Sequence, residues 1–398
     1  MNKDAMSISA EQLIGELERR RERKLRAQDA RDARHGADRV HVTSYMENIG
    51  WPELFSYEMR RMHDEPEFAA AQRLRELIFW ADNVDDDTIP EATIQADVGM
   101  YWDITLFGMK IRHTPIGVPE FEPHTLQRGL DIRALGRFDF RQTGDMPRIL
   151  RKYARLKELA GSFYGGKLAV TFPCFHRGPL DIFVQLRGYE GFIDDVAERP
   201  DELRAALAFL VDERLRFARE RQRFIGEPTL PATTFVADDW VNVPFISPSL
   251  FRDFVLPLYH SIRANEGPAY GFHTCGNFES VALDLVSVFP EIEMLEVSPW
   301  NDVRALDLLL PPRVGFIASV LNTVSLGGSE DEQRRKVEPM RDASRRRKIS
   351  VVAQAIQKLP ATYEETLDRL NRFLGLARSI LNPEMKADTS EYSKGNVE

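Results

Sequence analysis

Hydrophobic and polar positions along the chain fall into two textures that change near residue 90. Residues 8–35 read as one charged helix, with Ser9 placed to cap it and Arg, Glu and Lys dominating after Leu17. Helical spacing returns at 50–62 and 66–81, where Phe68, Ala71, Leu74, Leu77, Ile78 and Trp80 form a broad apolar face. Beyond residue 90, short apolar runs alternate with amphipathic stretches. The runs are TIQADVG (93–99), KLAVTFP (167–173), ATTFVADD (232–239), AYGFHTC (269–275), IEMLEVS (292–298), RVGFIASV (313–320) and KISVVAQA (348–355). Helical patterns separate them at 146–160, 178–224, 247–266, 277–288, 301–309, 329–346 and 361–380.

Strands apolar on both faces and separated by helices predict a parallel sheet covered on both sides. Seven or eight such units predict an α/β fold, a (β/α)8 TIM barrel, with an open doubly wound sheet as the alternative. No G-x-G-x-x-G or G-x-x-x-x-G-K-[ST] follows any of the runs, which removes the main support for a nucleotide-binding fold. The expected organisation is an N-terminal helical extension over 1–90, a barrel catalytic domain over 91–382 and a flexible polar tail over 383–398.

Composition narrows the function classes. A net charge of −9 with interleaved basic and acidic residues argues against a general nucleic-acid surface. Two cysteines in 398 residues cannot build a disulfide framework, so a reducing, cytoplasmic setting is expected. No signal-type segment opens the chain and no run reaches the ~20 apolar residues of a membrane span. The basic run RRRERK in the first helix reads as a solvated face or a contact suited to pairing two subunits in a homodimer.

In a barrel, chemistry collects where the strands end. Here the ends carry Cys174, His176 and Arg177; Asp238, Asp239 and Trp240; His273 and Cys275; Glu296; Asn322; and Gln354 with Gln357. Residues i and i+2 of a strand point to one side, so His273 and Cys275 can face a common point. An imidazole nitrogen and a thiolate are a donor pair that zinc favours, at ~2.0–2.1 and ~2.3 Å. Equally, the pair can be a buried thiol beside a hydrogen-bonded histidine. Asp238 and Asp239 can act as acid and base or anchor a substrate, but adjacent residues of a regular strand cannot both point inward. Asp239 is taken as the inward one. His176 and Arg177 can hold an anionic group or form an ordinary loop ion pair, while Trp240 and Asn322 are candidate substrate contacts.

The segment GFHTCGN resembles the HxCGN-type segment of zinc-dependent methyltransferases in the uroporphyrinogen decarboxylase superfamily. GPLDIFVQLRGYEGFIDDVAERPDELRAAL (178–207) and VADDWVNVPFISPSLFRDFVLPLYHSI (236–262) are similar to further family segments in the same order. The resemblance covers about two thirds of the chain and implies a TIM barrel with a zinc-binding His-x-Cys pair. The RQAGRY-type segment of the porphyrinogen decarboxylases is absent, which favours the methyltransferase branch over a metal-free decarboxylase or lyase. The branch also carries a later Cys ligand, and the corresponding stretch here reads VVAQAIQKLP. Glu296, ending the next strand, is therefore the expected third zinc ligand beside His273 and Cys275, with a rim salt bridge as its other reading. Cys174 is a further candidate ligand or a packing residue. The resemblance implies methyl transfer between a small methylated substrate and a corrinoid (cobalamin) carried by a partner protein, because no cobalamin-binding segment is evident.

Overall fold

The computed structural model describes residues 9–115, 120–121, 126, 136–175, 177–227, 229–230, 233–358 and 362–383. Strands are numbered in chain order: β1 His41–Met46, β2 Thr93–Gln95, β3 Ile111–Arg112, β4 Glu120–Phe121, β5 Ala169–Thr171, β6 Thr234–Ala237, β7 Ala269–His273, β8 Met294–Val297, β9 Gly315–Leu321 and β10 Ile349–Ile356. A six-stranded parallel sheet runs in the order β1-β10-β9-β8-β7-β6. β2 and β5 form a second parallel pair, and an isolated parallel bridge between Arg177 and Ala237 links the segment after β5 to β6. β3 and β4 make a small antiparallel ladder. Among the described residues no ladder joins β1 to β2.

The strands of the large sheet are buried because both faces are covered. Val320, Phe316, Ala318, Leu295, Phe272 and Val351 have no solvent exposure, and helices follow each strand. Parallel strands carry their connections on the outside, so their sequences read as continuous apolar runs. The helix starts follow local chemistry. Ser9 with Gln12 and Ser329 with Glu332 form capping boxes, and Pro66, Pro147, Pro179 and Pro200 each occupy a first-turn position.

Two differences from the sequence reading have plain causes. The long helix expected over 178–224 is three helices, Pro179–Arg187, Tyr189–Glu198 and Pro200–Ile225. Gly188 at φ +81° ends the first, and Pro200, which has no N–H to donate, starts the third. The region expected as a helical extension also contributes β1 to the parallel sheet, paired with β10 from His41↔Ser350 to Ser44↔Ala353. Its alternation of buried Val42, Ser44 and Met46 with less buried neighbours is a strand signal.

The charged helix Ala10–His35 turns Leu13, Ile14 and Leu17 onto the helix Pro66–Asn83, in a small core with Ala69, Ala70, Leu74 and Leu156. Two consecutive acidic residues, Asp86 and Asp87, bind β1 to its surroundings. Lys24 Nζ donates to the carbonyls of Val84 and Asp86 and to Asp86 Oδ1. The other Asp86 oxygen accepts from Ser44 N and Oγ and from Thr88 Oγ1. Asp87 accepts from Arg31, Arg39 and the Val42 amide. No helix among the described residues is long and apolar enough to cross a membrane.

Removing one partner of a buried, hydrogen-bonded ion pair leaves the other charge unanswered. Asp86→Ala is therefore expected to lower the unfolding free energy by about 3–5 kcal/mol, read from urea titrations. A loss below about 1 kcal/mol, the size of an exposed pair, would show that Lys24 and β1 are held by other contacts.

Candidate metal centre and its cavity

The carboxyl ends of β6, β7 and β8 lie side by side. The register pairs Ala237 with His273 and Phe272 with Leu295. His273, the last residue of β7, therefore sits between the turn after β6 and the end of β8. Its Nδ1 is 2.6 Å from Glu296 Oε2. Its Nε2 is 3.3 Å from Asp239 Oδ1 and 3.4 Å from Cys275 Sγ. The Cys275 amide donates to the same Asp239 oxygen at 3.0 Å.

Asp239, His273 and Cys275 each offer one ligand atom, all within 4.8 Å of one another. One oxygen, one imidazole nitrogen and one sulfur make a donor set that suits zinc. Glu296 takes the opposite face of the ring. A carboxylate on Nδ1 fixes that nitrogen as the proton-bearing one and leaves the Nε2 lone pair for a metal, the usual surroundings of a ligating histidine. The sequence pointed to Glu296 as third ligand and to Asp239 as a catalytic or anchoring group. The geometry brings Asp239 to Nε2 and Glu296 to Nδ1.

Asp238 faces the other way. It is fully buried; Oδ1 accepts from the Asp181 amide at 2.7 Å, and Oδ2 accepts from Tyr259 Oη at 3.0 Å. Its own amide donates to the His273 carbonyl. Gly178 makes room for it, since a Cβ there would lie 2.3 Å from Asp238 Oδ2. Burial, with the nearby Asp181 charge, pushes the Asp238 carboxyl well above the ordinary range.

The electrostatics of the triad are tightly balanced. Burial works against the imidazolium of His273, but hydrogen bonds and charge from Asp239, Cys275 and Glu296 outweigh it and push the ring up to about 12. Burial also opposes the Asp239 carboxylate, which His273 and Cys275 nevertheless hold at about 2. The hydrogen bond from His273 favours the Cys275 thiolate, yet burial and Asp239 leave the thiol above its ordinary value. Without a metal the triad thus holds protons that a zinc ion would displace.

Asp239 lies on the wall of a cavity of about 770 Å³. Arg177 and Asp181 line it next to Asp239, and Cys174 lines it after β5. Arg177 donates to both oxygens of Asp103 and, at 2.5 Å, to Asp181 Oδ2, with its guanidinium 4.7 Å from the Tyr101 ring. Burial pushes the Asp181 carboxyl up, against the pull of Arg177, to about 6, and its Oδ1 has no hydrogen-bond partner. Burial raises the half-buried Cys174 thiol as well.

The remaining sequence candidates are placed as follows. His176 lies outside the described residues. Trp240 stacks on Tyr189 with ring centroids 5.3 Å apart and meets Phe245 edge-on. Asn322 begins the turn after β9 and donates to the Ala355 carbonyl. Neither Trp240 nor Asn322 is among the described residues lining the cavity. Arg177 is in the cavity wall, bound to two carboxylates. Asp103 and Asp181 were missed, and the spacing Arg177-x-x-x-Asp181 across a helix start was the signal that pointed to the second of them.

In chelator-treated protein the His273 ring is expected to titrate far above 6.5 by histidine NMR, and Glu296→Gln and Asp239→Asn are each expected to lower its pKa. The raised value stabilises the fold fully below 6.5, and that contribution is lost as pH rises toward 12. A wild-type ring titrating near 6.5 would contradict the geometry.

No family model matches the chain, and no curated protein matches it. Among solved structures it is similar to a methyltransferase from Methanosarcina mazei, with a TM-score of 0.60 and 14% identity over 93% of this chain and 99% of that one. At that identity the likeness shows a shared α/β fold with a parallel central sheet.

Proposed function

We propose that this protein is a zinc-dependent methyltransferase that moves a methyl group between a small methylated substrate and a corrinoid on a partner protein. The observation that carries the reading is the compact Asp239, His273 and Cys275 group with Glu296 on the far side of the imidazole. The fold likeness to a methyltransferase and the HxCGN-type segment support it. In the same reading the eight parallel strands, β1, β2 and β5–β10, are the staves of a (β/α)8 barrel. The centre then sits at the carboxyl ends of the strands, where barrels place their chemistry.

The chain's residues have separable tasks. His273 Nε2, Cys275 Sγ and Asp239 Oδ1 hold the ion; Glu296 keeps the Nδ1 proton and so keeps Nε2 available. Three protein ligands leave room for a substrate atom. Zinc bound there supplies Lewis acidity toward the heteroatom that carries the methyl group, raising its leaving ability. With a carboxylate oxygen in place of a second thiolate the formal charge of the set is the same, but the softer sulfur donor is replaced by a harder, less donating one, which favours an oxygen or nitrogen of the substrate. Arg177, fixed and neutralised by Asp103 and Asp181, shapes the polar wall of the cavity next to Asp239. The alternative, a metal-free decarboxylase, needs Asp238 or Asp239 facing the substrate; Asp238 is fully buried, and Asp239 is engaged by His273 and the Cys275 amide.

Elemental analysis tests the reading directly. About one zinc per chain is expected in wild type, with loss in His273→Ala, Cys275→Ala and Asp239→Ala. Glu296→Gln is expected to retain zinc with affinity reduced about 10–100-fold, as for other carboxylates that orient a ligating histidine. Protein purified without chelators and free of zinc, or failure of the zinc-loaded protein to exchange methyl groups with any corrinoid protein, would overturn it.

A further inference from the structure

The cavity has a second pole, where the N-terminal helix Met59–Asp64 meets the helix Met146–Ser162. Its wall includes His63 from the helix Met59–Asp64 and Lys152 from the helix Met146–Ser162, each only 6% exposed. Lys152 Nζ donates to the carbonyls of Met62 and Asp97, at 2.7 and 2.6 Å. An ammonium has three donors, so one N–H is not accounted for by these carbonyls. His63 Nδ1 is buried with no hydrogen-bond partner. Its ring is pressed against Gly99, where a Cβ would come within 2.8 Å, and Gly99 sits at φ +97°. The backbone there is shaped to admit the imidazole.

Most carboxylates of the same cavity have a donor, Asp181 Oδ1 at the Arg177 end being the exception. Glu76 accepts from Tyr57 Oη at 2.8 Å, an Asp97 oxygen accepts from the Gly99 amide, and Asp103 and Asp181 share Arg177. What is left over at this pole is one Lys152 N–H and the unpartnered His63 edge, with Arg148 and His113 beside them and the charges of Asp64 and Asp97 also near. Burial, then the charges of His113, Lys152 and Arg148, hold the His63 imidazole down at about 3, so it is neutral and carries one N–H. A buried polar group without a partner costs about 1–3 kcal/mol, and a ligand oxyanion is the group that satisfies both side chains at once.

We propose that His63 and Lys152 form the docking site for a carboxylate on the substrate, whose other end reaches Asp239 and the candidate metal centre. The proposal rests on the methyltransferase reading only for the identity of that other end. Between the poles, Tyr101, Trp102 and Met62 line the cavity and suit a flat apolar body.

Calorimetric titration of the full-length, chelator-treated protein with benzoate and with the uncharged isostere benzamide tests this. Benzoate is expected to bind about tenfold or more tighter than benzamide, the margin of a charge-assisted hydrogen bond. His63→Gln and Lys152→Met are each expected to reduce that ratio toward one with little change for benzamide, and His273→Ala to leave it intact. Equal binding of the two probes by wild type, or an undiminished ratio in folded His63→Gln protein, would overturn the proposal. If Lys152→Met does not fold, His63→Gln alone decides. Because His273→Ala removes the zinc reading without touching this pole, the two readings fail separately.

Discussion

A carboxyl group with no access to water, Asp238, fixes the arrangement on which the candidate centre depends. It ties the start of the helix Pro179–Arg187, through the Asp181 amide, to Tyr259 on the helix Leu256–Glu266. Its amide is bound to the His273 carbonyl, so the turn after β6 is locked to the end of β7. Because adjacent residues diverge, the same lock aims Asp239 at the His273 ring. A buried acid is costly unless its oxygens are satisfied, and here both are. That cost makes the position specific: the turn has few other ways to satisfy the group.

From that turn the chemistry follows by register. Ala237 beside His273, and Leu295 beside Phe272, put three strand ends in one row. The row supplies an oxygen, a nitrogen and a sulfur on one side of an imidazole and a carboxylate on its other side. Two acidic groups flank one histidine, Asp239 at Nε2 and Glu296 at Nδ1; in the proposed function the first is a ligand and the second holds the opposite proton. The Arg177, Asp103 and Asp181 cluster extends the polar wall into the cavity, where Arg177 is neutralised by two carboxylates and acts through geometry more than net charge.

Much of this was legible in the sequence, and the limits have physical causes. Apolar runs bounded by polar residues located β5 to β10, and the spacing of His273 and Cys275 followed from the two-residue period of a strand. The positions of Asp239 and Glu296 about the His273 ring were not legible, because they depend on which residue of one strand lies beside which residue of the next. β1 was hidden because its buried positions alternate with His41, Thr43 and Tyr45 and form no continuous apolar run, and because helices stand on both sides of it. The helix breaks at Gly188 and Pro200 were marked by residue type, but amphipathic spacing continued across them. The His63 and Lys152 pole was invisible, since two helices far apart in the chain, Met59–Asp64 and Met146–Ser162, meet at the cavity only through tertiary packing.

The central claim is that one sulfur, one imidazole nitrogen and one carboxylate oxygen hold zinc at the end of β7. Zinc K-edge absorption spectroscopy on the purified protein tests it most directly. The account predicts a single sulfur at ~2.3 Å with the remaining ligands nitrogen or oxygen near ~2.0–2.2 Å. Two or more sulfurs bound to the metal, or nitrogen and oxygen ligands alone, would contradict it.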